Sequence, residues 1–227
     1  MEQHSRTINL IGIQSFEKLQ NKKIMVLGIG GVGSFVCEAL ARVGILNFVL
    51  IDNDVVSESN INRQIIALHS TIGQHKVEVM KQRILDINPK AKVESQVKFL
   101  TNQNIQEMRF DVDYVIDCID NITAKIQLAI ESEKQGFKLI SCMGTGNKLK
   151  PELFEISDIY KTSVCPLAKV MRKKLKESNV KSLTVLYSKE EPIKNEDIGR
   201  LPASISFTPS IAGLRIAEYV TKQLIEE

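Results

Sequence analysis

Gly28-Ile29-Gly30-Gly31-Val32-Gly33 spaces its glycines as G-x-G-x-x-G, between an apolar run and a segment with helical spacing. Without Cβ atoms such a loop lets a phosphate approach the backbone. The helix behind it offers free N–H groups and the positive end of its dipole. Asp52 ends the next apolar run, where a carboxylate accepts hydrogen bonds from ribose hydroxyls, and Asp54 follows two residues later. These residues alone fit NAD as well as ATP, and a tight turn without a ligand is the plainest alternative. Three more groups shift the balance. They are Asn60-Ile61-Asn62-Arg63-Gln64, Gly73-Gln74-His75-Lys76 and Asp117-Cys118-Ile119-Asp120-Asn121. A dinucleotide's pyrophosphate is served by the helix terminus already. Two added cations and a carboxylate suit a triphosphate with Mg2+, which needs charge neutralisation and a hard oxygen ligand. Singly, Arg63 and Lys76 read as solvated helix charges and Asp120 as a helix cap before Thr123; together they favour ATP.

These residues need a scaffold, and the hydrophobic pattern supplies one. Strands are expected at Lys23–Leu27, Phe48–Ile51, Lys92–Val97, Tyr114–Ile116 and Lys138–Ser141, with helices over Ser34–Val43, His75–Ile87 and Thr123–Gln135. Gly44 stops the first helix, and Asn88-Pro89 the second, because the residue before proline disfavours helix. The alternation predicts an α/β fold, a doubly wound, mostly parallel sheet with helices on both faces. After Gly144-Thr145-Gly146 the pattern changes. Leu153–Ile156 and Leu183–Tyr187 read as antiparallel additions, and Pro166–Lys176 and Ser210–Leu224 as helices. The charged Ser188–Arg200 stretch, with Pro192 and Gly199, reads as a surface loop.

Composition narrows the classes. The 227 residues are 43% hydrophobic and 25% charged, enough for one buried core and unlike a disordered or disulfide-scaffold chain. No apolar run reaches membrane-span length, and the N-terminus lacks the basic and apolar regions of a signal peptide. Cys37, Cys118, Cys142 and Cys165 form no C-x-x-C pair, which excludes zinc held by paired cysteines; a cytoplasmic location is expected. The net charge of +3 argues against a polybasic nucleic-acid binder, yet it is unevenly spread. Between Lys161 and Lys181, cations at Lys161, Lys169, Arg172, Lys173, Lys174, Lys176 and Lys181 face one acid, Glu177, so this stretch carries +6 and the remainder −3. A solvated helix face is the ordinary reading of such a run. A contact to an RNA backbone is the other.

The set Gly28-x-Gly30-Gly31-x-Gly33-Ser34, Asp52-x-Asp54, Asn60-x-x-Arg63-Gln64, Gly73-x-x-Lys76 and Asp117-x-x-Asp120 resembles the E1-like adenylation superfamily, with a Rossmann-like core over about residues 1–147. The resemblance implies that Asp52 holds ribose, that Asn60, Arg63 and Lys76 hold phosphates, and that Asp120 binds Mg2+. Arg6 resembles an N-terminal arginine that such proteins insert into a partner subunit's ATP site, which implies a homodimer. The tail, residues 148–227 of a single domain, resembles the tRNA threonylcarbamoyladenosine dehydratases. That likeness rests on Asp158-Ile159-Tyr160-Lys161-Thr162, Pro166-Leu167-Ala168-Lys169 through Leu175, and Tyr187-Ser188-Lys189-Glu190-Glu191-Pro192. It departs at Cys165, where the family carries aspartate. The implied activity is ATP-dependent cyclisation of N6-threonylcarbamoyladenosine, with ATP and Mg2+ as cofactors and tRNA as partner. The rivals are an activator of a ubiquitin-like sulfur carrier, which makes a sulfur-donor or sulfur-carrier protein a further candidate partner, and an NAD-binding redox or sensor domain.

Overall fold

A computed structural model describes residues 2–193 and 202–226. Two helices, α1 (Ser5–Ile11) and α2 (Ile13–Asn21), precede the first strand, β1 (Lys23–Leu27). Then come α3 (Gly33–Val43), β2 (Asn47–Ile51), α4 (Lys76–Ile87), β3 (Lys92–Gln96), α5 (Asn102–Gln106), β4 (Tyr114–Asp117), α6 (Ile122–Gln135) and β5 (Leu139–Cys142). The chain continues through β6 (Phe154–Asp158), α7 (Pro166–Glu177), β7 (Thr184–Ser188) and α8 (Phe207–Glu226). All seven strands join one sheet in the order β3-β2-β1-β4-β5-β7-β6.

The β1 run is buried on both faces. Ile24 and Val26 enter the core that also takes side chains from α3, α4 and α8, while Met25 and Leu27 enter the core shared with α6 and α7. Helix ends follow from named residues. Gly44 closes α3 in the left-handed region at φ +117°, and a side chain there would also strike Phe16, whose Cε2 lies 2.4 Å from the ideal Cβ position. Asn121 caps α6, its Oδ1 accepting from the N–H groups of Thr123 and Ala124.

The C-terminal strands divide in direction. β6 is antiparallel to β7, whereas β7 runs parallel to β5, beside which the α6/α7 layer lies. A helical crossover is what permits a parallel neighbour, so only β6 reverses the sheet. α8 begins three residues before the expected Ser210, since Pro209 falls in its first turn, where no N–H is needed. Of the expected Ser188–Arg200 loop, Ser188 ends β7 and Glu190 is buried, and residues 194–200 lie outside the described residues. Among the described residues no helix is long and apolar enough to cross a membrane.

Candidate nucleotide and metal site

The strand order reverses between β1 and β4, and ligands of open α/β sheets bind at the carboxyl ends of the strands at such a switch point. The glycine loop leaves β1 there, and the Asp117–Asn121 turn leaves β4. The two are in close contact. Gly28 adopts φ +84°, and a Cβ on it would lie 2.8 Å from the carbonyl carbon and oxygen of Cys118. A Cβ on Gly33 would sit 1.9 Å from the Gly28 oxygen. Glycine at these two positions is therefore a steric requirement.

Asp52 reaches over from β2. Its Oδ2 accepts from Ile29 N–H at 2.6 Å and its Oδ1 from Asp54 N–H at 2.8 Å, which fixes the carboxylate beside the loop. Burial pushes its pKa above the ordinary aspartate value, against the pull of those two bonds and of Lys76. A protonated Asp52 loses acceptor capacity toward a ribose hydroxyl. Adenosine, which has no phosphate to titrate, is thus expected to bind more weakly as pH falls through that raised pKa, a loss absent in Asp52→Asn. Titrations run downward from neutral pH measure this, and a flat wild-type profile would remove Asp52 from ribose recognition.

The cations stand close by. Lys76, the first residue of α4, is buried, and its Nζ pairs with Asp54 Oδ2 at 2.7 Å. Asp54 therefore holds Lys76 in place. Arg63 is half-buried, its Cγ 3.4 Å from where a Cβ on Gly31 would lie, so its base flanks the loop; its Nη1 donates to Ser59 O and Asn62 Oδ1. Asn60 is buried with Oδ1 accepting from Ser57 N–H. Gln64 is buried with its Nε2 3.8 Å from the Cβ position of Gly30, and among the described residues its Oε1 has no partner, like the Oγ of buried Ser34 at the start of α3. Orphaned polar atoms beside a loop that admits no Cβ at Gly28 or Gly33 fit a bound nucleotide.

Asp120 is exposed, and its carboxylate makes no hydrogen bond or ion pair among the described residues. Asn121, and not Asp120, caps α6, so the helix-cap role for Asp120 drops away. A free carboxylate is the hard oxygen donor Mg2+ takes. Among the described residues no cluster of three or more His, Cys, Asp or Glu could hold a metal ion. Arg6 lies exposed on α1, with no polar contact to this site among the described residues.

Of the basic stretch, Lys161, Lys169, Lys173, Lys174, Lys176 and Lys181 are exposed. Arg172 turns inward, donating to the carbonyl and hydroxyl oxygens of Thr162, and Lys174 pairs with Glu177 at 2.9 Å. Cys165 is buried at the start of α7 without a side-chain cap bond. Sequence reasoning missed Lys125, which is fully buried against Asp117 at 3.0 Å. The available signal was its place on the apolar face of α6, three and four residues before Leu128 and Ala129.

Residues 4–227 match the ThiF family. The chain is 41% identical to the tRNA threonylcarbamoyladenosine dehydratase of Bacillus subtilis, over 100% of this chain and 96% of that protein. Crystal structures of the Escherichia coli tRNA N6-threonylcarbamoyladenosine dehydratase superpose with a TM-score of 0.92 for the AMP complex and 0.91 for the ATP complex. Both are 32% identical and cover 99% of this chain and 94% of that one. With the family matched over nearly the whole chain and the relative aligned throughout, the chain belongs to the ThiF family.

Proposed function

We propose that this protein catalyses the ATP-dependent cyclisation of N6-threonylcarbamoyladenosine at the anticodon-adjacent position of tRNA, in the cytoplasm, as a homodimer. The 41% identity to a dehydratase, over the whole of this chain and 96% of that protein, carries this reading. The threonyl carboxylate attacks the α-phosphate of ATP, forming an acyl-adenylate and expelling pyrophosphate. A nucleophilic atom of the same modified group then attacks the activated carbonyl; its proton passes to solvent, AMP leaves and the ring closes. Joining two anions raises charge in the transition state, and Arg63 and Lys76 are the cations that offset it. Mg2+, when bound, neutralises phosphate charge, with Asp120 as its protein ligand. Ring closure is intramolecular, so orientation suffices without a nucleophile from the protein. Arg6 is assigned to the partner subunit's ATP site.

The deciding experiment incubates the protein with ATP, Mg2+ and tRNA carrying the modification. Release of AMP and pyrophosphate with loss of one water from the nucleoside is expected. An unchanged nucleoside mass would end the dehydratase reading.

The exposed lysines of α7 and its flanks, Lys161, Lys169, Lys173, Lys174 and Lys176, are assigned to the tRNA backbone; Arg172 contributes through Thr162, bracing the loop that carries Lys161. Lys169, Lys173 and Lys176 changed together to Ala are expected to flatten the dependence of log K on log salt by about one unit per lost phosphate contact. ATP affinity is expected to stay constant. An unaltered salt slope would place tRNA on another surface.

A further inference from the structure

Two aspartates lie three residues apart, Asp117 ending β4 and Asp120 in the turn that follows, and the structure gives them opposite fates. Asp117 is fully buried, and Asp120 is exposed and uncommitted. The difference comes from Lys125. Its Nζ donates to Asp117 Oδ2 at 3.0 Å, Ser141 Oγ at 3.2 Å and Cys142 O at 2.8 Å, using all three of its protons. Ser141 Oγ donates in turn to Asp117 Oδ2 at 2.5 Å, and Asp117 Oδ1 accepts from Ile119 N–H at 3.1 Å. One ammonium group thus ties α6, β4 and β5 together directly under the turn that carries Asp120.

A buried ion pair is a poor device for stability, because desolvating both charges offsets most of their attraction. Its geometry explains it better. The turn is fixed at its start by Asp117 and Ile119 and at its end by the Asn121 cap, which leaves Asp120 as the one carboxylate of the pair free to meet a cation. Lys125 also cancels the charge of Asp117, so that carboxylate does not compete for the metal.

We propose that Lys125 is a positioning residue for Mg2+-assisted ATP binding, acting through Asp117 and Ser141 on the turn that presents Asp120. This rests on the metal role given to Asp120 above. The glycine loop has separate anchors, Gly28 N–H to Ile51 O and Ile29 N–H to Asp52, so ATP without metal depends little on Lys125.

The test is calorimetric titration of the full-length protein with ATP, with and without Mg2+. The D117N/K125M double variant removes both charges at nearly constant volume. It is expected to lose about tenfold of the Mg2+-dependent gain in affinity while metal-free affinity stays within about threefold. Lys125→Arg is expected to keep most of the gain. Introducing the double substitution into Asp120→Ala is expected to cost nothing further, since it acts only through Asp120. If the double variant does not fold, Ser141→Ala, which removes a single anchor, is expected to show a smaller loss of the same selective kind. A full Mg2+ gain in whichever variant folds, equal losses with and without Mg2+, or a further loss in the Asp120→Ala background would overturn the proposal. Wild-type protein indifferent to Mg2+ would overturn the metal assignment and this inference together. A normal Mg2+ gain with an unchanged tRNA nucleoside would instead sink only the substrate assignment.

Discussion

Asp120→Ala is expected to stop turnover and leave the fold intact. The side chain is exposed and has no polar partner among the described residues, so its loss creates no cavity and strands no donor. Stability is expected to stay within about 0.5 kcal/mol of wild type, as for surface positions away from special features. Turnover is another matter, because the acyl-adenylate step brings a carboxylate onto a triphosphate. Removing one group that stabilises developing charge costs about 10²–10³ in rate, and losing the carboxylate proposed to hold the metal belongs at the upper end. AMP release and a melting curve on the same preparation check both halves. Activity within a few-fold of wild type would show that Asp120 is not the metal ligand.

Gly33→Ala is expected to produce the larger structural effect. Its Cβ would fall 1.9 Å from the Gly28 carbonyl oxygen and 3.4 Å from Cys118 Cβ, and the nearer obstacle is backbone that cannot rotate away. The loop must open, at a cost of about 1–3 kcal/mol typical of overpacking, or roughly 2–12 °C in melting temperature for a chain of this size. A displacement of about 1 Å in the cradle is enough to reduce phosphate-dependent rates about 10²-fold. Gly30→Ala supplies the contrast. Nothing lies closer than 3.8 Å to its Cβ position, so the folded state is expected to accept it without loss. Equal melting temperatures for the two variants would contradict the steric account of Gly33.

The elements around the site were legible in the sequence because each carries an unambiguous signal. β1 is a short apolar run that ends in glycine, α3 stops at Gly44, and α4 stops before Pro89. The first helices gave no such signal. α1 buries none of its seven residues and α2 buries only Phe16 and Leu19, so neither shows a continuous apolar stripe. α5 is a five-residue turn held by Thr101 and Asn104 side chains, too short for periodicity to show.

The site itself was legible as residue types, and its internal wiring was not. Spacing picks out Asp54 and Lys76 but cannot reveal that they pair with each other. Spacing likewise marks Asp117 and Asp120 as a set, while burial separates them. Arg172 reads as one cation of a basic run until the fold turns it toward Thr162. In each case the missing information is which neighbour from a distant segment arrives beside the side chain.

The last helix also bears on how the protein is made. Gly213 in α8 packs so tightly on the start of α3 that an added Cβ would come within 2.5 Å of Val32 O, and Pro209 lies 3.2 Å from the Cβ position of Gly31. The glycine loop, formed from residues near the start of the chain, is therefore buttressed by residues roughly 180 positions later. During synthesis on the ribosome the nascent chain holds the candidate site residues, Gly28 to Asp120, long before it holds the buttress. The packing that holds the loop is therefore completed only when the last helix has been made.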